Sequence, residues 1–164
     1  MAFPELTAYF AAEKQGGLLL VALAVASLAL AGYLFATKSL FSAMAWPVLV
    51  LGGIELVIGL SVASRADAQI AEIAAGLQAT RTVTITTEVE RMARVNGTFA
   101  LIKKVEIALI AVSVLFLVVQ PAPATLGSMG LGILLQSAIL LVFDTFAHHR
   151  AIRYVEWLIA LPPT

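Results

Sequence analysis

Residues 17–37 read GLLLVALAVASLALAGYLFAT, an uncharged run long enough to cross a lipid bilayer as one helix. At about 1.5 Å of rise per residue, roughly 20 helical residues traverse a hydrocarbon core about 30 Å thick. Runs of similar character cover 45–63, 99–119 and 126–147. The chain is 61% hydrophobic and only 12% charged, with a mean hydropathy of +1.00. A soluble domain carries about 25% charged residues, so this chain lacks the polar surface that water requires. The expected fold is therefore an all-α integral membrane protein, a four-transmembrane-helix bundle forming one domain over 1–164.

The ten lysines and arginines set the expected orientation, because positive charge holds a segment on the cytoplasmic side. Lys14 precedes span one. Arg65, Arg81, Arg91 and Arg94 lie between spans two and three, Lys103 and Lys104 open span three, and Arg150 and Arg153 follow span four. Lys38 alone falls on the other side, and the link from Gln120 to Thr125 is uncharged. This places both termini and the central segment in the cytoplasm of a multi-pass inner (plasma) membrane protein. A cleaved signal peptide would use Ala29-Leu30-Ala31, but Glu5 and Glu13 against Lys14 give the wrong charge balance, and the apolar run continues to Phe35.

Segments between the spans carry their own periodicity. Phe3, Leu6 and Phe10 predict a short amphipathic helix at the membrane interface. Val62, Ala66, Ile70, Ile73 and Leu77 continue a stripe beyond span two, and Val89, Met92, Val95 and Phe99 continue one ahead of span three. Two such stripes predict a cytoplasmic helical hairpin over about 64–98. Thr82-Val-Thr-Ile-Thr-Thr87 is rich in β-branched residues, and Thr87 stands at the capping-box distance from Glu90, so the return helix is expected to begin at Thr87. After span four an amphipathic C-terminal helix over about 148–161 is expected, continuous with the span. Ile152, Val155 and Ile159 would form its apolar stripe, Trp157 would suit an interface, and Pro162-Pro163 would end it.

Three acids fall inside the spans: Glu55, Glu106 and Asp144. A charge at the bilayer centre costs about 2.5–3.5 kcal/mol on insertion scales, so such residues face the bundle interior. Gly52, Gly59 and Ala63 lie on the face of Glu55 and form a small-residue, helix-packing groove. Glu106, Ser113 and Gln120 recur at sevens along span three, as do Gly130, Ser137 and Asp144 along span four. Lys103 precedes Glu106 by one turn, and His148 follows Asp144 by one turn. These residues admit two roles. Lys103 and Lys104 would pair with Glu106 and Asp144 while a protonated Glu55 bonds across the groove, or the three acids would form a proton- or cation-binding path open to the cytoplasm.

Other chemistry finds little support. Zero net charge gives no reason to expect nucleic acid, and the absence of cysteine excludes disulfides and thiolate chemistry. His148 and His149 are adjacent and point apart on a helix, so no metal is expected, and no nucleophile triad, phosphate loop or zinc spacing is present. Nothing calls for a cofactor. Glu90-Arg91-x-x-Arg94-x-Asn96 resembles the Glu-Arg-rich motif of the membrane glutathione-transferase and leukotriene-synthase family, whose members are small four-span proteins. Its Arg-to-Asn spacing departs from that motif and it precedes span three, so Arg91 and Arg94 read as the polar face of the hairpin.

Without a catalytic set, an enzyme is the least supported class. The leading expectation is a non-enzymatic subunit of regulatory, assembly or toxin-immunity type, acting within the lipid bilayer by helix packing against itself or another membrane protein. The alternative is a small homo-oligomeric proton- or cation-linked transporter or channel that uses its intramembrane carboxylates.

Overall fold

The computed structural model describes residues 3–37, 40–119 and 124–162. Lys38, Pro163 and the link residues 120–123, Gln120 among them, lie outside the described residues. The fold is all-helical. Four long helices, α1 (Pro4–Thr37), α2 (Ala45–Ala79), α3 (Arg81–Val118) and α4 (Ala124–Ala160), are accompanied by a short 3-10 turn at Ser42–Met44. Helix α1 packs along α2, and α3 along α4, so the bundle is two hairpin-like pairs laid side by side. Each helix has 34 to 38 residues, about 50–57 Å of length at 1.5 Å per residue.

α1, α2 and α4 are long and apolar enough to cross a membrane. In α3, Lys103, Lys104 and Glu106 interrupt the apolar run over 99–119. Along the middle of the bundle large apolar side chains point outward, Leu19, Val57, Leu101 and Phe146 among them, while Ser27, Glu55, Glu106 and Gln136 are buried.

Small residues set the helix contacts. A Cβ on Gly17 would lie 2.8 Å from the Gly59 carbonyl oxygen, and one on Gly59 would lie 2.7 Å from the Gly17 carbonyl oxygen. The two backbones therefore touch, an approach that only glycine permits. Gly52 faces Ser27 in the same way, with 2.9 Å to its Cβ. The groove of Gly52, Gly59 and Ala63 is thus filled by α1 of the same chain.

At the end that carries the charges, all four helices continue together as a head. Leu6, Tyr9, Phe10, Ile73, Leu77, Met92, Ala151, Tyr154 and Leu158 form its core. The stripes on α2 and α3 meet as the spacing predicts, but α1 and α4 close over them. The N-terminal segment is no separate interfacial helix: Pro4–Thr37 is continuous, because Leu6 and Phe10 find the head core to bury in. The C-terminal segment continues α4, yet its buried face is Ala147, Ala151, Tyr154 and Leu158, while Ile152 and Ile159 are exposed. Trp157, half-buried against the head core, stacks on Tyr154 and meets Phe3 edge-on.

The turn from α2 to α3 needs only Thr80. Its N–H donates to the Gly76 carbonyl at 2.8 Å, and the Thr84 side chain occupies the space where a Gly76 side chain would lie. Helix α3 therefore begins at Arg81 and not at Thr87. Thr84 and Thr86 donate their hydroxyls back to the Thr80 and Thr82 carbonyls, and the helix is held because Ile85 and Val89 gain burial against the head core. Propensity yields to packing.

Replacing Gly59 with Leu should separate α1 from α2 and cost about 1–3 kcal/mol or more. Thermal denaturation in detergent should show the loss, with the oligomeric state unchanged. A variant as stable as the parent but altered in assembly would show that the groove serves a second molecule instead.

Candidate functional site

The three acids of the apolar runs fall into two separate clusters, with Glu55 and Glu106 buried and Asp144 half-buried. Glu55, from the middle of α2, is 3% exposed. Helix α4 brings Gln136 to it, and the close approach at Gly52 brings Ser27. The Gln136 amide donates to Glu55 Oε1 at 3.1 Å and to Ser27 Oγ at 3.0 Å, while Ser27 donates back to Gln136 Oε1 at 3.3 Å. α4 can sit this close because Gly132, one turn before Gln136, lies against Met44 and Pro47 with no room for a side chain. Sequence reasoning picked neither Ser27 nor Gln136. Ser27 stands alone in an apolar run, and Gln136 sits beside Ser137 in another, which was the available signal.

Glu106 and Asp144 form the second cluster, in the seam between α3 and α4. The seam closes where Gly130 meets the Ser113 carbonyl, 3.0 Å from where its Cβ would be. From there the sevenfold spacing carries Ser113 and Glu106 along one wall and Ser137 and Asp144 along the other. Glu106 and Asp144 face each other closely enough to share a hydrogen bond when one is protonated. Glu106 is 4% exposed and neither of its oxygens has a hydrogen-bond donor; buried Ser137 Oγ also has no partner. Ser113 satisfies its hydroxyl on the Ile110 carbonyl at 2.7 Å. A buried carboxylate that has no donor is uncommon and requires an explanation.

The expected ion pairs of Lys103 and Lys104 with these acids do not form within 4 Å among the described residues. Instead Lys103 Nζ donates to His148 Nδ1 at 2.7 Å. Lysine has no acceptor, so this contact requires a neutral His148 with its proton on Nε2. Burial, and then the nearby ammonium, hold His148 below its ordinary imidazole range. The ring also stacks on Phe99 and turns from Asp144 toward Lys103. Lys104, one residue on, is exposed. Gln136 and Ser137 are consecutive on α4 and diverge by about 100°, so the Glu55 and Glu106 clusters lie on different faces of that helix.

The head holds a third polar group, fully engaged. Arg91 forks onto Glu88 at 2.7 and 2.6 Å, and Tyr154 donates to Glu88 at 3.0 Å. Tyr9 lies flat on Tyr154 with ring centroids 4.2 Å apart. Burial is the main reason both phenols are pushed above their ordinary range, whereas Arg91 is raised chiefly by its bond to Glu88. The Glu90-to-Asn96 motif lies here with its first arginine committed to this lock. Among the described residues no group of three or more His, Asp or Glu side chains is placed to hold a metal. Comparison with protein families, with curated proteins and with solved structures finds no match.

Gln136→Leu would leave Glu55 and Ser27 without their shared partner and should cost about 1–3 kcal/mol, the desolvation penalty of an unmet buried group. Glu55→Gln keeps an acceptor for the same amide and should cost less than about 1 kcal/mol. Paired denaturation curves in detergent check the ordering, and a reversed order would show that the Glu55 charge itself is required.

Proposed function

We propose that this chain is a non-enzymatic inner-membrane bundle whose Glu106–Asp144 pair carries a proton or a small cation to and from the cytoplasmic side. All four helices span the bilayer in this reading, α3 included. Its charged residues then lie near the cytoplasmic boundary, where long lysine side chains reach the interface. The outward apolar belt, the buried polar groups and the gathering of the described positive charges at the head end support insertion. Exposed Tyr33 and Trp46 near the opposite end suit the other interface. Both termini and the head are cytoplasmic.

The observation that carries the ion-linked reading is the buried Glu106 carboxylate with no donor, facing a second carboxyl. Counted formally, two carboxylates and the Lys103 ammonium leave one negative charge, which a proton or a monovalent cation neutralises. The Lys103–His148 contact lies beside the pair on the cytoplasmic side and withholds the ammonium that would otherwise fill the site. Four spans leave little room for a pore within one chain, so self-association in the bilayer is part of this reading. The regulatory, assembly or immunity reading, acting through helix packing with another membrane protein, would need a surface other than the Gly52–Gly59 groove, which α1 fills.

Two experiments test these statements. The chain has no cysteine, so Val83→Cys at the head tip and Leu40→Cys near the other end can be labelled selectively in intact cells. A membrane-impermeant thiol reagent should reach Leu40→Cys and spare Val83→Cys; labelling of Val83→Cys from outside inverts the topology. Purified protein in liposomes should dissipate an imposed pH or alkali-cation gradient, and Glu106→Gln should return the rate to that of empty vesicles. Wild-type vesicles as tight as empty ones would dispose of the ion-linked reading.

A further inference from the structure

We infer that the groove between α1 and α4 is a binding site for an anionic phospholipid of the cytoplasmic leaflet. This rests on the membrane reading above but not on the role given to Glu106. The groove has a volume of about 440 Å³, within the range of ligand sites. Its walls are Leu19 on α1 and Ile139, Val142 and Phe146 on α4. On the α1 side it borders the stretch where Gly17 is drawn onto Gly59 of α2. The small residues Ala12 and Gly16 line it on α1, and Phe143 and Arg150 of α4 reach across to Gly16.

The groove has a direction. Ile139, Val142, Phe146 and Arg150 follow one face of α4, so it runs along the helix with its apolar end deep and its polar end at the head. From Ile139 to Arg150 the helix rises about 16 Å, close to the half-thickness of about 15 Å for one leaflet. Gln15 and Arg150 stand at the polar end. A phospholipid has the same polarity and reach, with its acyl chain inward and its phosphate at the boundary.

Arg150 supplies the charge for recognition. Its guanidinium carries several N–H donors, and Glu13 engages it through one contact at 3.3 Å, longer than the roughly 2.7–2.9 Å of a strong charged hydrogen bond. Its Nε is buried and meets no acceptor, while the side chain as a whole is 33% exposed, so the terminal N–H groups are the ones a head group would meet. Burial raises the Glu13 carboxyl above its ordinary value in spite of Arg150, so Glu13 is a weak counter-ion. Arg153 is exposed less than one turn further along α4 and adds positive charge, while Lys14 is already paired with Asp67. A basic pocket between membrane helices on the cytoplasmic side fits an acidic head group.

Native mass spectrometry of the full chain in detergent, titrated with phosphatidylglycerol or phosphatidylcholine, tests the assignment. The wild type should retain phosphatidylglycerol about tenfold more tightly than phosphatidylcholine, the scale of one charge-assisted hydrogen bond. Arg150→Gln should abolish that preference. Val142→Trp, at a position 59% exposed where the fold tolerates bulk, should fill the groove and weaken retention of both lipids. Equal retention of the two lipids by the wild type, or retention untouched by Val142→Trp, overturns the assignment. An alkaline carbonate wash separates the two failures. A chain that stays in the membrane but shows no preference refutes the groove alone, and a chain that washes off removes the membrane premise as well.

Discussion

Contact between the α1 and α2 backbones at Gly17 and Gly59 governs much of this architecture. Neither position leaves space for a Cβ, so the two helices lie as close as helices can. The approach sets Ser27 against Gly52 and within reach of Gln136, which completes the bonding of Glu55. It also directs the N-terminal turns of α1 onto the head, where Leu6, Tyr9 and Phe10 are buried. Dispersion and hydrogen bonding are the forces available to hold helices together in lipid, and both grow steeply as backbones approach.

The head gives each helix a second anchorage. Lengths of 34 to 38 residues exceed the roughly 20 needed to cross a bilayer. The surplus forms the four-helix head, where burial of Leu6, Phe10, Leu77, Met92 and Leu158 holds the helix ends together. Its centre is polar but satisfied: Glu88 accepts from both Arg91 and Tyr154, and the stacked Tyr9 and Tyr154 rings exclude water from it. This contrasts with the α3–α4 seam, where no donor reaches the Glu106 oxygens and the buried Ser137 Oγ has no partner. A network with every member bonded makes a rigid joint, whereas a buried carboxylate without a donor is uncommon in a folded bundle.

Several elements were legible from spacing alone. The stripes from Ile70 to Leu77 and from Val89 to Phe99 contribute to the head core, because apolar periodicity reports which face must be hidden. The sevenfold recurrence of Glu106 with Ser113, and of Ser137 with Asp144, follows the faces that meet in the α3–α4 seam. The stretch Thr82–Thr87 misled, since its low intrinsic helix preference is outweighed by the packing of Ile85 and Val89 against the head core. The outer turn of α4 misled for a related reason. Its face is chosen by the stacked Tyr154 and Trp157 and by Leu158, although Ile152 and Ile159 are the more hydrophobic residues.

Composition and periodicity by themselves determined an all-helical chain with long apolar segments, charges gathered at one end and acids that must face inward. Those properties follow from local geometry and from the cost of solvating each side chain, and every residue carries that information independently of its neighbours in space. Tertiary structure decided which partner each group meets: α1 fills the glycine groove, Gln136 rather than a cation answers Glu55, and Lys103 turns to His148 instead of Glu106. Such pairings depend on the rotation and offset of one helix against another, which many contacts fix jointly and no single span encodes.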